Sequence, residues 1–214
     1  MDKPSPSFVH AFVQDIFLPV APDFTMAAFF VITWIKPYAM GKNAPNVCFA
    51  ILILEVLTIL SNLLVYANIG KKAKLIALII FFAPIVIALG RQTRAFIPIL
   101  AFAWHTYTKI NIVAGATRED GHKVFARWLL SILLWSGTAF LVAILPFPEL
   151  GWREGIVPAE IAWTNGETGE KLYHATPAWG AFYFFILAWL EIYVQTHKKK
   201  FDEFLKRFAR IKEN

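Results

Sequence analysis

Charge is scarce in this sequence and cysteine nearly absent. Asp, Glu, Lys and Arg make up 17% of its 214 residues, where a soluble domain carries about a quarter. Cys48 is the single cysteine, which excludes an intrachain disulfide and a cysteine metal cluster. HExxH and CxxC spacings are missing, as are a Gly-rich phosphate loop, a Ser-His-Asp arrangement and a paired-acid motif. A bis-histidine haem needs two histidines at matching depth. Of His10, His105, His122, His174 and His197, His105 alone falls deep inside an apolar run. The reading is therefore no metal, no cofactor and no catalytic residue, with the balance against an enzyme.

What is abundant is apolar surface. Hydrophobic residues reach 57%, with 20 Phe and 8 Trp, and mean hydropathy is +0.53. That combination is the signature of a membrane chain. The expectation is an all-α, polytopic membrane helix bundle with six transmembrane helices, an N-terminal interfacial helix and a C-terminal amphipathic cytoplasmic helix. Residues 1–22 form the interfacial part, 23–196 the membrane domain and 197–214 the tail. No nucleic-acid partner is expected.

Phe8, Val9, Phe12, Val13, Ile16 and Phe17 share one helical face, too short to span, and Pro19 and Pro22 are read as ending that helix. No cleavable leader is read there, because Gln14, Asp15 and Pro19 interrupt the apolar stretch. The first span is expected from Phe24 to Pro37 or Met40, with Asp23 as its N-cap. The others are expected over 46–69, 75–90, 95–113, 128–147 and 178–195. Lys74 and Arg91 bound the short third span and are expected to snorkel to the headgroups.

Basic residues set orientation. A cytoplasmic C-terminus leaves Lys36, Lys42, Arg91, Arg94, Arg153 and Lys171 outside and places the remaining lysines and arginines, except the intrahelical Lys109, inside. The expected location is a bacterial-type inner membrane with both termini in the cytoplasm. The outer loop, 149–177, carries Glu149, Glu154, Glu160, Glu167 and Glu170, and its Asn165-Gly166 pair predicts a small hairpin. Trp152 and Trp179 are expected in an interfacial aromatic belt. Small residues predict close helix contacts at Ser136, Gly137, Ala139 and Ala143, and at Gly180, Ala181 and Ala188.

Ionisable residues within a bilayer are costly and mark functional sites. The candidates are Glu55, Thr58 and Asn62 on the second span, His105 and Lys109 on the fourth, and Glu191 on the sixth. Cys48, Glu55, Thr58, Asn62 and Tyr66 share a face that is expected to turn into the bundle. Helix rise predicts Glu55 beside His105 or neighbouring hydroxyls, and Lys109 beside Glu191. A carboxylate against a histidine serves a proton relay, and it serves an interhelical hydrogen bond equally well.

In the tail, Phe201, Phe204, Leu205, Phe208 and Ile211 recur at helical spacing beside Lys198, Lys199, Lys200, Lys206, Arg207 and Arg210. Such a helix suits anionic lipid headgroups or a partner protein. The partners expected are thus the bilayer, anionic headgroups at the tail, and a membrane or periplasmic protein. The leading functional expectation is a non-enzymatic subunit or scaffold of a membrane complex. The alternatives are a small transporter, channel or proton-conducting protein using the Glu/His/Lys set, and an intramembrane enzyme acting on lipid.

Overall fold

The computed structural model describes residues 17–63, 70–92, 96–115, 121–152, 154–157, 163–164 and 171–197. The expected interfacial face up to Ile16, Tyr66 and the basic tail from Lys198 lie outside these residues.

Six helices form the described fold: α1 (Leu18–Ile35), α2 (Ala44–Ser61), α3 (Lys71–Gln92), α4 (Phe96–Gly115), α5 (Gly121–Ile144) and α6 (Ala175–Thr196). Of these, Leu18–Ile35, Ala44–Ser61, Val124–Ile144 and Ala175–Thr196 are long and apolar enough to cross a membrane. Large apolar side chains also face outward, including Ile80, Leu133, Phe140 and Ile144, each at least 60% exposed. A soluble surface does not carry so much of this kind.

α1 begins earlier than expected. Pro19 and Pro22 lie within it rather than before it. Pro19 falls in the first turn, where a missing N–H costs no intrahelical bond and the fixed φ suits helical backbone, whereas Pro22 lies inside the helix. Asp23 is consequently not an N-cap; it is a buried residue inside α1. α2 runs over Ala44–Ser61 with Asn62 as its C-cap, and residues 64–69 of the expected span lie outside the described residues.

The most extensive helix pair is α1 against α6. Gly180 makes it possible, because a Cβ there would fall 2.2 Å from the Phe30 ring. Phe30 then stacks on Phe184 at 5.7 Å between ring centroids. Ala181 and Ala188 are buried on the same helix, as expected of a close contact. α4 packs on α1 and α2, α5 on α6 and α2, and α3 on α4 and α2. Of the other small residues, Ala139 packs partly buried against the core, but Ser136, Gly137 and Ala143 are exposed, and a Cβ on Gly137 would meet nothing within 4 Å. α5 instead meets α6 through Trp135 and Trp179, whose rings lie 4.4 Å apart.

The segment after α5 folds back over the end of α1. Trp34 Nε1 donates to the Pro148 carbonyl at 2.9 Å, and Gly151 N donates to the Trp34 carbonyl at 3.0 Å. Trp152 Nε1 donates to the Thr33 carbonyl at 2.7 Å. Trp152 is fully buried and Trp179 only 4% exposed. Neither belongs to an interfacial belt, because each indole N–H finds a backbone carbonyl in the interior. β1 (Trp163–Thr164) pairs antiparallel with β2 (Lys171–Leu172), so the expected hairpin is present, with residues 165–170 as its connection.

Candidate functional site

The apolar face of α1 carries one ionisable side chain, Asp23, in line with Met26, Ala27 and Phe30. On α2, Cys48, Glu55 and Thr58 are buried as the spacing predicts, whereas Asn62 is only half-buried. On α4, His105 is buried beside Ala101 and Phe102. On α6, Tyr183 is buried beside Phe184 and Leu187. Four helices thus each deliver one polar group to a common point.

His105 is its centre. Its Nδ1 is hydrogen-bonded to Oδ1 of Asp23, and its Nε2 to Oε2 of Glu55 at 2.9 Å. The Tyr183 hydroxyl donates to the other Glu55 oxygen, Oε1, at 2.7 Å. None of the four residues is more than 1% exposed. Phe102 stacks on the imidazole at 6.3 Å, and Phe184 meets it edge-on at 5.6 Å. The aromatic walls fix the ring plane, so each nitrogen keeps one carboxylate partner.

Proton counting gives the cluster its electrostatic character. Each contact between a ring nitrogen and a carboxylate oxygen needs one proton, wherever that proton sits within the contact. Two such protons leave the Asp23–His105–Glu55 trio with one net negative charge, and one more makes it neutral. The three hydrogen bonds use both nitrogens of His105 and both oxygens of Glu55, but only Oδ1 of Asp23. An added proton therefore has a natural place on Oδ2 of Asp23.

The remaining candidates do not join the cluster. Thr58 Oγ1 donates to the Leu54 carbonyl at 3.2 Å, and Asn62 Nδ2 to the Ile59 carbonyl at 2.8 Å, so both bond within their own helix turn. Glu191 accepts from Gln195 Nε2 at 3.2 Å on the same helix. The ion pairs among the described residues both involve His105, and the expected Lys109–Glu191 pair is not one of them. Lys109 sits one turn beyond His105 on α4, half-buried. Lys74, expected to snorkel, is only 5% exposed. The tail lysines and arginines lie outside the described residues.

Asp23 and Tyr183 are the members that sequence reasoning missed. Asp23 carried a signal, as a carboxylate in register with an apolar helical face. Tyr183 carried none, because nothing local separates it from the other aromatic residues of α6.

No known protein family, curated protein or solved structure matches this chain.

Proposed function

We propose that the chain is a proton-relaying membrane protein in which Asp23, His105, Glu55 and Tyr183 hold and pass a proton within the bundle. The observation that carries this reading is the imidazole held between two carboxylates at the meeting point of four helices. A clamp alone does not require it. Burying a net charge opposes stability, and well-packed apolar groups hold helices as well or better. A histidine between acids is the chemistry that moves protons near neutral pH.

The rest of the arrangement belongs to the same proposal. All six helices cross a bacterial-type inner membrane, with both termini in the cytoplasm, and the basic tail lies on anionic headgroups. Cysteines placed at Glu167 and Lys199, in a Cys48→Ser background, label from opposite sides of intact cells if this topology holds. Labelling from one side overturns it.

The relay itself is tested in liposomes containing the purified protein and a pH-sensitive dye, with a potential applied across the bilayer. Asp23→Asn, Glu55→Gln and His105→Ala each abolish proton flux. Wild-type flux no greater than that of empty liposomes, or unchanged flux in all three variants, overturns the reading.

A second reading, a subunit or scaffold of a membrane complex, is favoured by the segment after α5. Its hydrogen bonds to Trp34, Thr33 and the Tyr38 hydroxyl lock it onto α1, with Glu149 and Glu154 exposed. A fixed acidic surface of this kind suits a partner protein on the outer side. Stable co-purification from native membranes in mild detergent supports this reading, and a lone monomer counts against it.

A further inference from the structure

Resting on the relay reading, we infer that Asp23 is the group that takes up the relay's proton, on its Oδ2, from water at the membrane face where α1 begins.

Three observations converge on it. The first is the pattern of engagement: among the described residues both oxygens of Glu55 are committed, while Asp23 uses only Oδ1. Uptake at Oδ2 therefore forms one O–H bond without first breaking a hydrogen bond of the cluster. A hydronium ion gives up the proton and leaves as water, and the trio passes from one negative charge to neutral. The proton between Nδ1 and Oδ1 can then settle on the ring while the one on Nε2 moves towards Glu55.

The second is depth. Asp23 stands five residues from Leu18, about 7.5 Å along the axis, and twelve from Ile35, about 18 Å. Tyr183, at the other end of the hydrogen-bonded chain, stands eight residues after Ala175, which lies towards the opposite face in an alternating bundle. The chain of groups thus has a near end and a far end.

The third is the backbone between Asp23 and that near face. Pro22 has no N–H, so the Leu18 carbonyl has no donor at the residue four positions on. Freed carbonyls in membrane helices are satisfied by neighbouring groups or by water. Phe17 and Leu18, at the start of this turn, are 52% and 41% exposed, while Val20 and Pro22 are buried.

The groups that bear on Asp23 are few. It is the only ionisable residue of α1. His105 on α4 faces it directly, Glu55 on α2 and Tyr183 on α6 act through His105, and Lys109 lies one turn further along α4.

The test is infrared difference spectroscopy of the buried carboxylic C=O band after a pH jump. It uses right-side-out and inverted membrane vesicles carrying the full chain. A jump at the face where α1 begins should raise the band at least tenfold faster than a jump at the other face. The band should vanish in Asp23→Asn and shift in frequency in Asp23→Glu, which keeps a carboxyl if the amide fails to fold. Equal rates from both faces, or a band lost in Glu55→Gln and kept in the Asp23 variants, overturn the assignment to Asp23 and leave the relay standing. A spectrum with no pH-dependent carboxyl band overturns both.

Discussion

The Tyr183 hydroxyl donates to Oε1 of Glu55 at 2.7 Å, while Oε2 of the same carboxylate is held by His105 at 2.9 Å. Glu55 is therefore satisfied from two helices at once. Removing either donor leaves a buried carboxylate oxygen unpaired, which costs about 1–3 kcal/mol. Tyr183→Phe keeps the ring and its contact with Phe184, 5.0 Å between centroids. We expect it to lower stability by that amount in a detergent unfolding titration, with no change in helix content by circular dichroism.

His105→Ala is expected to be more severe. It leaves Asp23 and Glu55 both buried and without the ring between them, and breaking a buried ion pair in this way costs about 3–5 kcal/mol. Adding Glu55→Gln removes one of the opposed charges. The double variant should then be less destabilised than the sum of the singles, and additive losses would show that the two residues are not coupled.

Gly180→Ala tests the α1–α6 contact. The added methyl collides with the Phe30 ring, and overpacking of this kind costs about 1–3 kcal/mol. Because these two helices carry Asp23 and Tyr183, proton flux should fall together with stability. Phe30→Leu in the same chain restores room and should recover part of both, read as thermal stability in micelles and as flux in liposomes.

Trp152→Phe removes the N–H that reaches the Thr33 carbonyl and retains most of the buried ring. The expected loss is about 1 kcal/mol. The segment after α5 should become the first site cut in limited proteolysis. A cleavage pattern identical to wild type would mean that the contacts of Trp34, Tyr38 and Gly151 hold the segment without Trp152.

Hydropathy and spacing located all six described helices, usually to within a few residues. They also identified Glu55 and His105 as buried polar groups. They misplaced the start of α1, because Pro19 and Pro22 read as terminators and a proline early in a helix is indistinguishable in sequence from one that stops it. They assigned Trp152 and Trp179 to the membrane interface, because composition does not show whether an indole N–H will meet a headgroup or an interior carbonyl.

The helices long and apolar enough to cross a membrane and the inward face of α2 were determined by the sequence alone, since both follow from apolar content and a 3.6-residue period along a single segment. The site was decided by the tertiary structure. His105 lies 82 residues from Asp23 and 50 from Glu55, and Tyr183 lies 128 from Glu55. Periodicity tells which face of a helix is buried. It does not tell which helix lies against that face, and here the close packing of α1 on α6 at Gly180 and Phe30, with α4 set against α1, brought the second carboxylate and the phenol to the histidine.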